Sequence, residues 1–112
     1  MAEKFNRYSS KLTTTNATTV YTAPSANAND RAIVLSLLVA NVTGSAAAIT
    51  VDITDNAGTQ LSRLTNALSL PANASLEVIV NKQVLNNGDK ISCTSGTASA
   101  HHVTVSALEI TV

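Results

Sequence analysis

Residues 31–55 read RAIVLSLLVANVTGSAAAITVDITD, the longest apolar signal in the chain, and they restrict the fold more than any other stretch. Ala48–Asp55 sets Ile49, Val51 and Ile53 against Thr50, Asp52 and Thr54, the two-residue period of a strand with one wet face. Ala32–Val42 is different. One face would carry Ile33, Leu35, Leu37 and Val39, the other Val34, Ser36, Leu38 and Ala40, so the strand is apolar on both sides and needs cover on both. Leu and Ala also favour helix, but the β-branched content and the small polar turn Thr43-Gly44-Ser45 favour a strand. The expectation is a hairpin at the centre of the core, with Val34, Leu38 and Val42 packing against another chain.

The remaining sequence continues in the same manner. Val, Ile and Thr fill 32 of 112 positions, residues whose branched side chains suit a pleated surface. Leu12–Thr22 is Thr-rich and weakly alternating, as in an edge strand. Thr59–Ala67 carries Leu61 and Leu64 at a spacing that suggests a bulge. Ala74–Lys82, Val84-Leu85, Lys90–Thr94 and His101–Val112 supply further short runs, with Ile91 and Cys93 inward and a change of apolar phase after Ala107. Pro24, Asn56-Ala57-Gly58, Pro71-Ala72-Asn73 and Asn86-Asn87-Gly88-Asp89 punctuate them about every ten residues. Seven or eight short strands so spaced predict an all-β fold, a single antiparallel β-sandwich of immunoglobulin-like or jelly-roll type. The sandwich would span residues 12–112.

Residues 1–11 stand apart as a basic N-terminal arm. Lys4, Arg7 and Lys11 oppose Glu3, and Phe5 and Tyr8 are two of the three aromatic residues in the sequence. Aromatic rings give large contact area at low entropy cost, so Phe5, Arg7 and Tyr8 are candidates for docking on a neighbouring subunit. A frayed terminus is the plainer alternative.

Charge and cysteine content narrow the function. Formal net charge is zero and charged residues make up 12% of the chain, which argues against the clustered basic surface of a nucleic-acid binder. So little charge also fits a surface covered by other subunits, or one kept soluble by Asn, Ser and Thr. One cysteine excludes an internal disulfide. The opening residues lack the apolar region of a signal peptide, and no run reaches the ~20 apolar residues of a membrane span.

No constellation of catalytic residues emerges, and no cofactor is implied. His101 and His102 are neighbours on a strand and should point to opposite faces, where they cannot share a metal. Cys93 has no adjacent base and sits at an inward position. Asp52, Asp55, Asp30 and Asp89 fit solvated or turn-capping roles, and no calcium-loop spacing occurs. Three Asn-X-Ser/Thr sequons, at Asn16, Asn41 and Asn73, are coincidental in a chain so rich in these residues. Two classes of function remain: a structural assembly protein, or a sugar-binding sandwich. Sugar-binding surfaces stack rings on exposed aromatics, yet the chain has no Trp, and Tyr21 is the one aromatic outside the arm.

Several runs carry a family resemblance. Thr19-Val20-Tyr21-Thr22-Ala23-Pro24, Ala32–Leu37 and Val39-Ala40-Asn41-Val42-Thr43 are similar to a group of small structural proteins of tailed bacteriophages, cyanophages among them. Leu85-Asn86-Asn87-Gly88-Asp89-Lys90-Ile91 and Val103–Glu109 resemble that group's final strands. The likeness covers Thr13–Val112 and leaves the arm outside. It implies a β-sandwich component of the virion with no enzymatic activity, made in the host cytoplasm. A capsid decoration or cement subunit leads, with a neck or tail part as the alternative. The implied partners are the major capsid protein or neighbouring virion proteins, and sister copies in a homo-oligomer such as a trimer.

Overall fold

The computed structural model describes residues 2–112. Nine strands occupy them: β1 (Ala2–Leu12), β2 (Thr18–Thr22), β3 (Arg31–Asn41), β4 (Ala47–Thr54), β5 (Gln60–Leu70), β6 (Ser75–Ile79), β7 (Gln83–Leu85), β8 (Lys90–Ser95) and β9 (His101–Thr111). One sheet runs β1-β9-β3-β6, with β7 beside β6 on the same edge of β3; the other runs β2-β8-β4-β5. Every pairing is antiparallel.

The pairs β4–β5, β3–β6/β7, β2–β8 and β1–β9 nest inside one another like a single long hairpin. That hairpin is rolled so that β9 also meets β3, and β8 meets β4. Both sheets follow from this winding, which is the jelly roll and not the immunoglobulin topology. All-β architecture and the antiparallel sandwich are therefore as the sequence predicts, but the strands number nine rather than seven or eight, because β1 adds one from the segment expected to stand apart as an arm.

The central hairpin is not. β3 and β4 lie in different sheets, and Thr43-Gly44-Ser45 carries the chain across the sandwich. Both strands are apolar because they line opposite walls of one core. Asn41 fixes the crossover from inside: its Nδ2 donates to the Ser45 and Leu70 carbonyls, and its Oδ1 accepts from the Thr43 amide and hydroxyl. A buried amide with its capacity filled in this way is stable in an apolar interior.

A register shift at Leu35 sets the phase of β3. Before it, Ala32 and Val34 face inward; after it, Leu37, Val39 and Asn41 do. With them in the core are Ile49, Val51 and Ile53 of β4, Ile91 and Cys93 of β8, Val103, Val105 and Ala107 of β9, and Leu12, Leu70, Ile79 and Leu85. The last strand keeps one phase throughout, so Leu108 and Ile110 are simply on its outer face. β5 is the irregular strand the sequence suggests, with three register shifts against β4. Thr65 fills one of these gaps, its hydroxyl accepting from the Val51 amide and donating to the Ile49 carbonyl. In the Asn86–Asp89 turn, Gly88 adopts φ +75°, and Asp89 accepts the Asn86 amide through its carboxylate.

Residues 2–11 neither fray nor hang free. They form most of β1, paired with β9 without a break from Ala2–Thr111 to Leu12–His101. The pairing comes from the backbone, which explains why a strand exposed on both faces lacks an apolar alternation.

Candidate functional site

The residues with chemical potential are absorbed by the fold. Cys93 is sealed in the core, and burial pushes its thiol up to about 12, far from a reactive thiolate. His101 and His102 do point to opposite faces, the first buried and the second half-buried. His101 Nδ1 lies 2.7 Å from Ser95 Oγ, while its Nε2 finds no hydrogen-bond partner. Burial holds its pKa below the usual imidazole value. Ser95 and His101 are both fully buried, so this pair is shut away from any substrate.

The aspartates are also structural. Asp52 pairs with Arg63 at 2.8 Å, and Asp55 caps its turn through the amides of Ala57 and Thr59. Asp30 is buried, and it accepts the amides of Asn27 and Val112, tying a loop to the end of β9. Among the described residues, no group of three or more His, Cys, Asp or Glu is placed to hold a metal ion. A shallow cavity of about 230 Å³ opens between β5 and β6, lined by Leu64 and residues 78–83. It contains no acid–base pair.

One polar cluster joins the two sheets. Glu109 continues the inward phase of Val103, Val105 and Ala107 at the mouth of the sandwich. Its Oε1 accepts from Asn6 Nδ2 at 2.7 Å, and its Oε2 from Tyr8 Oη at 2.8 Å and Tyr21 Oη at 2.7 Å. The two tyrosine rings meet at 5.1 Å between centroids, tilted by 58°. Burial alone would raise the Glu109 pKa, but the three hydrogen bonds and the nearby Lys4 charge hold it below the usual range. Tyr21, in the opposite sheet, is raised by burial and by the carboxylate beside it. Glu109 thus clamps β1 and β2 together at one side of the sandwich. Nothing in the sequence analysis singles out Glu109; its one signal is a carboxylate at an inward position, which needs partners when it is taken out of water.

The residues proposed for contacts are scattered. Phe5 and Arg7 are exposed on the outer face of the β1-β9-β3 sheet, whereas Tyr8 faces the other way and is engaged by Glu109. Val34 is fully buried by its own chain, because the shift at Leu35 puts it on the inner face. It cannot pack against a sister subunit. Leu38 and Val42 stay outside, 37% and 47% exposed, though Leu38 sits between Thr104 and Glu77 rather than in an apolar group.

An apolar row occupies the same outer face. Phe5 is in register with Leu108, Leu108 with Ile33, and Ile33 with Val84, so four side chains cross the sheet from edge to edge. Its ends are the open parts, with Phe5 75% and Val84 59% exposed. Leu61 and Leu68 on β5, and Val80 just past β6, add exposed apolar area.

No protein-family model matches the chain, and no curated protein matches its sequence. Solved structures do match its shape. A subunit of Bacillus endospore appendages, described as a novel family of disulfide-linked pili, is similar over 99% of this chain and 88% of its own length, with a TM-score of 0.60 and 12% identity. The T13 particle of infectious bursal disease virus matches over 96% of this chain with a TM-score of 0.52 and 12% identity. The Gx strain of that virus matches over 96% with a TM-score of 0.51 and 10% identity. The chain spans about a third of those two viral proteins. At such identities the likeness is one of fold.

Proposed function

We propose that this chain is a non-enzymatic structural subunit of a virion, a decoration or cement protein on the capsid of a tailed phage. The observation that carries the reading is the apolar row Phe5–Leu108–Ile33–Val84 on the outside of a sandwich whose reactive groups are buried or engaged structurally. A lone jelly roll does not need an apolar outer face, whereas a subunit bound to its neighbours does. Burying one large apolar side chain such as Phe5 against a partner favours association by roughly 1.5–3 kcal/mol, and repetition over many copies multiplies the effect.

The sequence motifs support the phage assignment, and the similar folds, in a pilus and in a viral particle, support an assembly role. The disulfide linkage named for the pilus has no counterpart in this chain, whose single cysteine is buried. Contacts among copies would then be non-covalent. The partners are the major capsid protein or adjacent virion proteins, reached through Phe5, Arg7, Leu38 and Val42. The subunit would act on the virion after synthesis in the host cytoplasm.

The test is quantitative proteomics of purified particles, with the subunit then located by imaging. A copy number in the hundreds with density on the shell is the expected result. A count of about six to twelve would mean a ring in the neck or tail instead.

A further inference from the structure

β1 presents an unpaired edge over eleven residues, Ala2–Leu12. Its pairing with β9 has no register shift, and it contains no proline, so alternate amides and carbonyls point outward in an even series. β5, the edge of the other sheet on the far side, is broken by three register shifts that spoil such a series. We propose that β1 is a self-association edge: it pairs antiparallel with β1 of a second copy, Phe5 opposite Phe5, and joins two sheets into one.

The side chains select both this partner and this register. In the proposed pairing residue i faces residue 10 − i of the second copy, so Glu3 meets Arg7 and Arg7 meets Glu3. Opposite charges directly across a strand pair stabilise it, and like charges oppose it. Lys4 meets Asn6, and Ala2 leaves room for Tyr8, which stays on Glu109. Shifting the sum to 8 sets Lys4 against Lys4 and leaves no opposite-charge pair; a sum of 14 exchanges the Glu3–Arg7 pairs for Glu3–Lys11 pairs but sets Arg7 against Arg7 between them. The intermediate sum of 12 removes both Glu3–Arg7 pairs.

Geometry agrees with the charges. An even sum brings together residues of one parity, so outward-pointing amides meet outward-pointing amides and each outer face meets an outer face. The row Phe5–Leu108–Ile33–Val84 then runs on through the second Phe5 into its copy, doubling the apolar stripe. Lys11 falls beyond the paired span of residues 2–8. The contact is isologous and closes as a two-fold dimer, which covers residues 2–8 of the edge in both copies and does not propagate. This concerns the free chain and stands whether or not the capsid reading holds.

Sedimentation equilibrium of the full chain from about 1 to 100 μM, the range in which modest interfaces populate, tests it. A monomer–dimer equilibrium is expected. Glu3→Arg and Arg7→Glu should each weaken the dimer about tenfold by placing like charges across two symmetric pairs, and the double variant E3R/R7E should restore it. These positions are exposed, and circular dichroism verifies that each variant keeps the fold. Oxidation of Phe5→Cys should give a disulfide dimer. Ser9→Cys should not, since its two copies would lie about 27 Å apart at 3.4 Å per residue. A wild-type monomer throughout the range, polymers larger than a dimer, no recovery in the double variant, or equal cross-linking at both cysteines would each overturn the proposal.

Discussion

Removing Glu109 should loosen the joint between β1 and β2 by a calculable amount. The carboxylate accepts three hydrogen bonds, but they are unequal. Asn6 and Tyr8 are exposed enough to return to water, so their loss is nearly neutral. Tyr21 is only 3% exposed, and in Glu109→Ala its hydroxyl is left without a partner. A stranded buried hydroxyl costs about 1–3 kcal/mol, and the lost packing of the Glu109 stem adds to it. Glu109→Ala should therefore cost about 2–3 kcal/mol in urea unfolding, a fall in Tm of roughly 8–12 °C for a domain of this size. Tyr21→Phe alone removes the donor and leaves the carboxylate partly solvated, at about 1 kcal/mol. The double variant should cost less than the sum by about 1 kcal/mol, the coupling expected of direct partners. Hydrogen exchange in β1 should accelerate in step. Strict additivity, or unchanged protection of β1, would refute the clamp.

Acid sensitivity should appear in two windows. Because burial lowers the His101 pKa, the neutral ring is favoured in the fold; its contribution is full above pH 6.5 and is lost as pH falls from there through the lower folded value. His101→Gln should flatten that slope in a pH series of urea midpoints, and an unchanged slope would exclude His101 as its source. Glu109, also depressed, contributes above about 4.5 and fades below it, so Glu109→Gln should alter only the more acidic window. On β3, Leu37→Ala should cost about 2–5 kcal/mol while its neighbour Leu38→Ala stays within about 0.5, measured by thermal melts of the isolated chain. Thr65→Val should cost about 1–3 kcal/mol, since it strips both hydrogen bonds that fill the β5 bulge. Cys93 should resist thiol reagents in the native chain at neutral pH and react promptly in urea.

Strands were legible in the sequence where one face is buried and the other wet, as in β4 and β8, because that environment writes a two-residue period. Partners were harder to read. Residues 31–55 read as a hairpin since both strands are apolar and the turn is short; which sheet each joins depends on β8 and β9, which begin only at Lys90 and His101. The one-residue shift at Leu35 is not encoded by any glycine or proline, so the phase of Val34 relative to Leu38 was hidden. β1 was unreadable for another reason. It is held by backbone bonds to β9 and by a carboxylate about a hundred positions away, neither of which leaves a local pattern. The inward position of Cys93 and the opposite orientation of the two histidines followed directly from alternation.

What covers the outer face of the β1-β9-β3 sheet decides the role of this chain. Imaging of the assembled particle at side-chain resolution measures that directly. Phe5, Leu108, Ile33 and Val84 should be buried against a neighbouring subunit. Density showing this row open to solvent, with the chain held through other surfaces or missing from the particle, would contradict it.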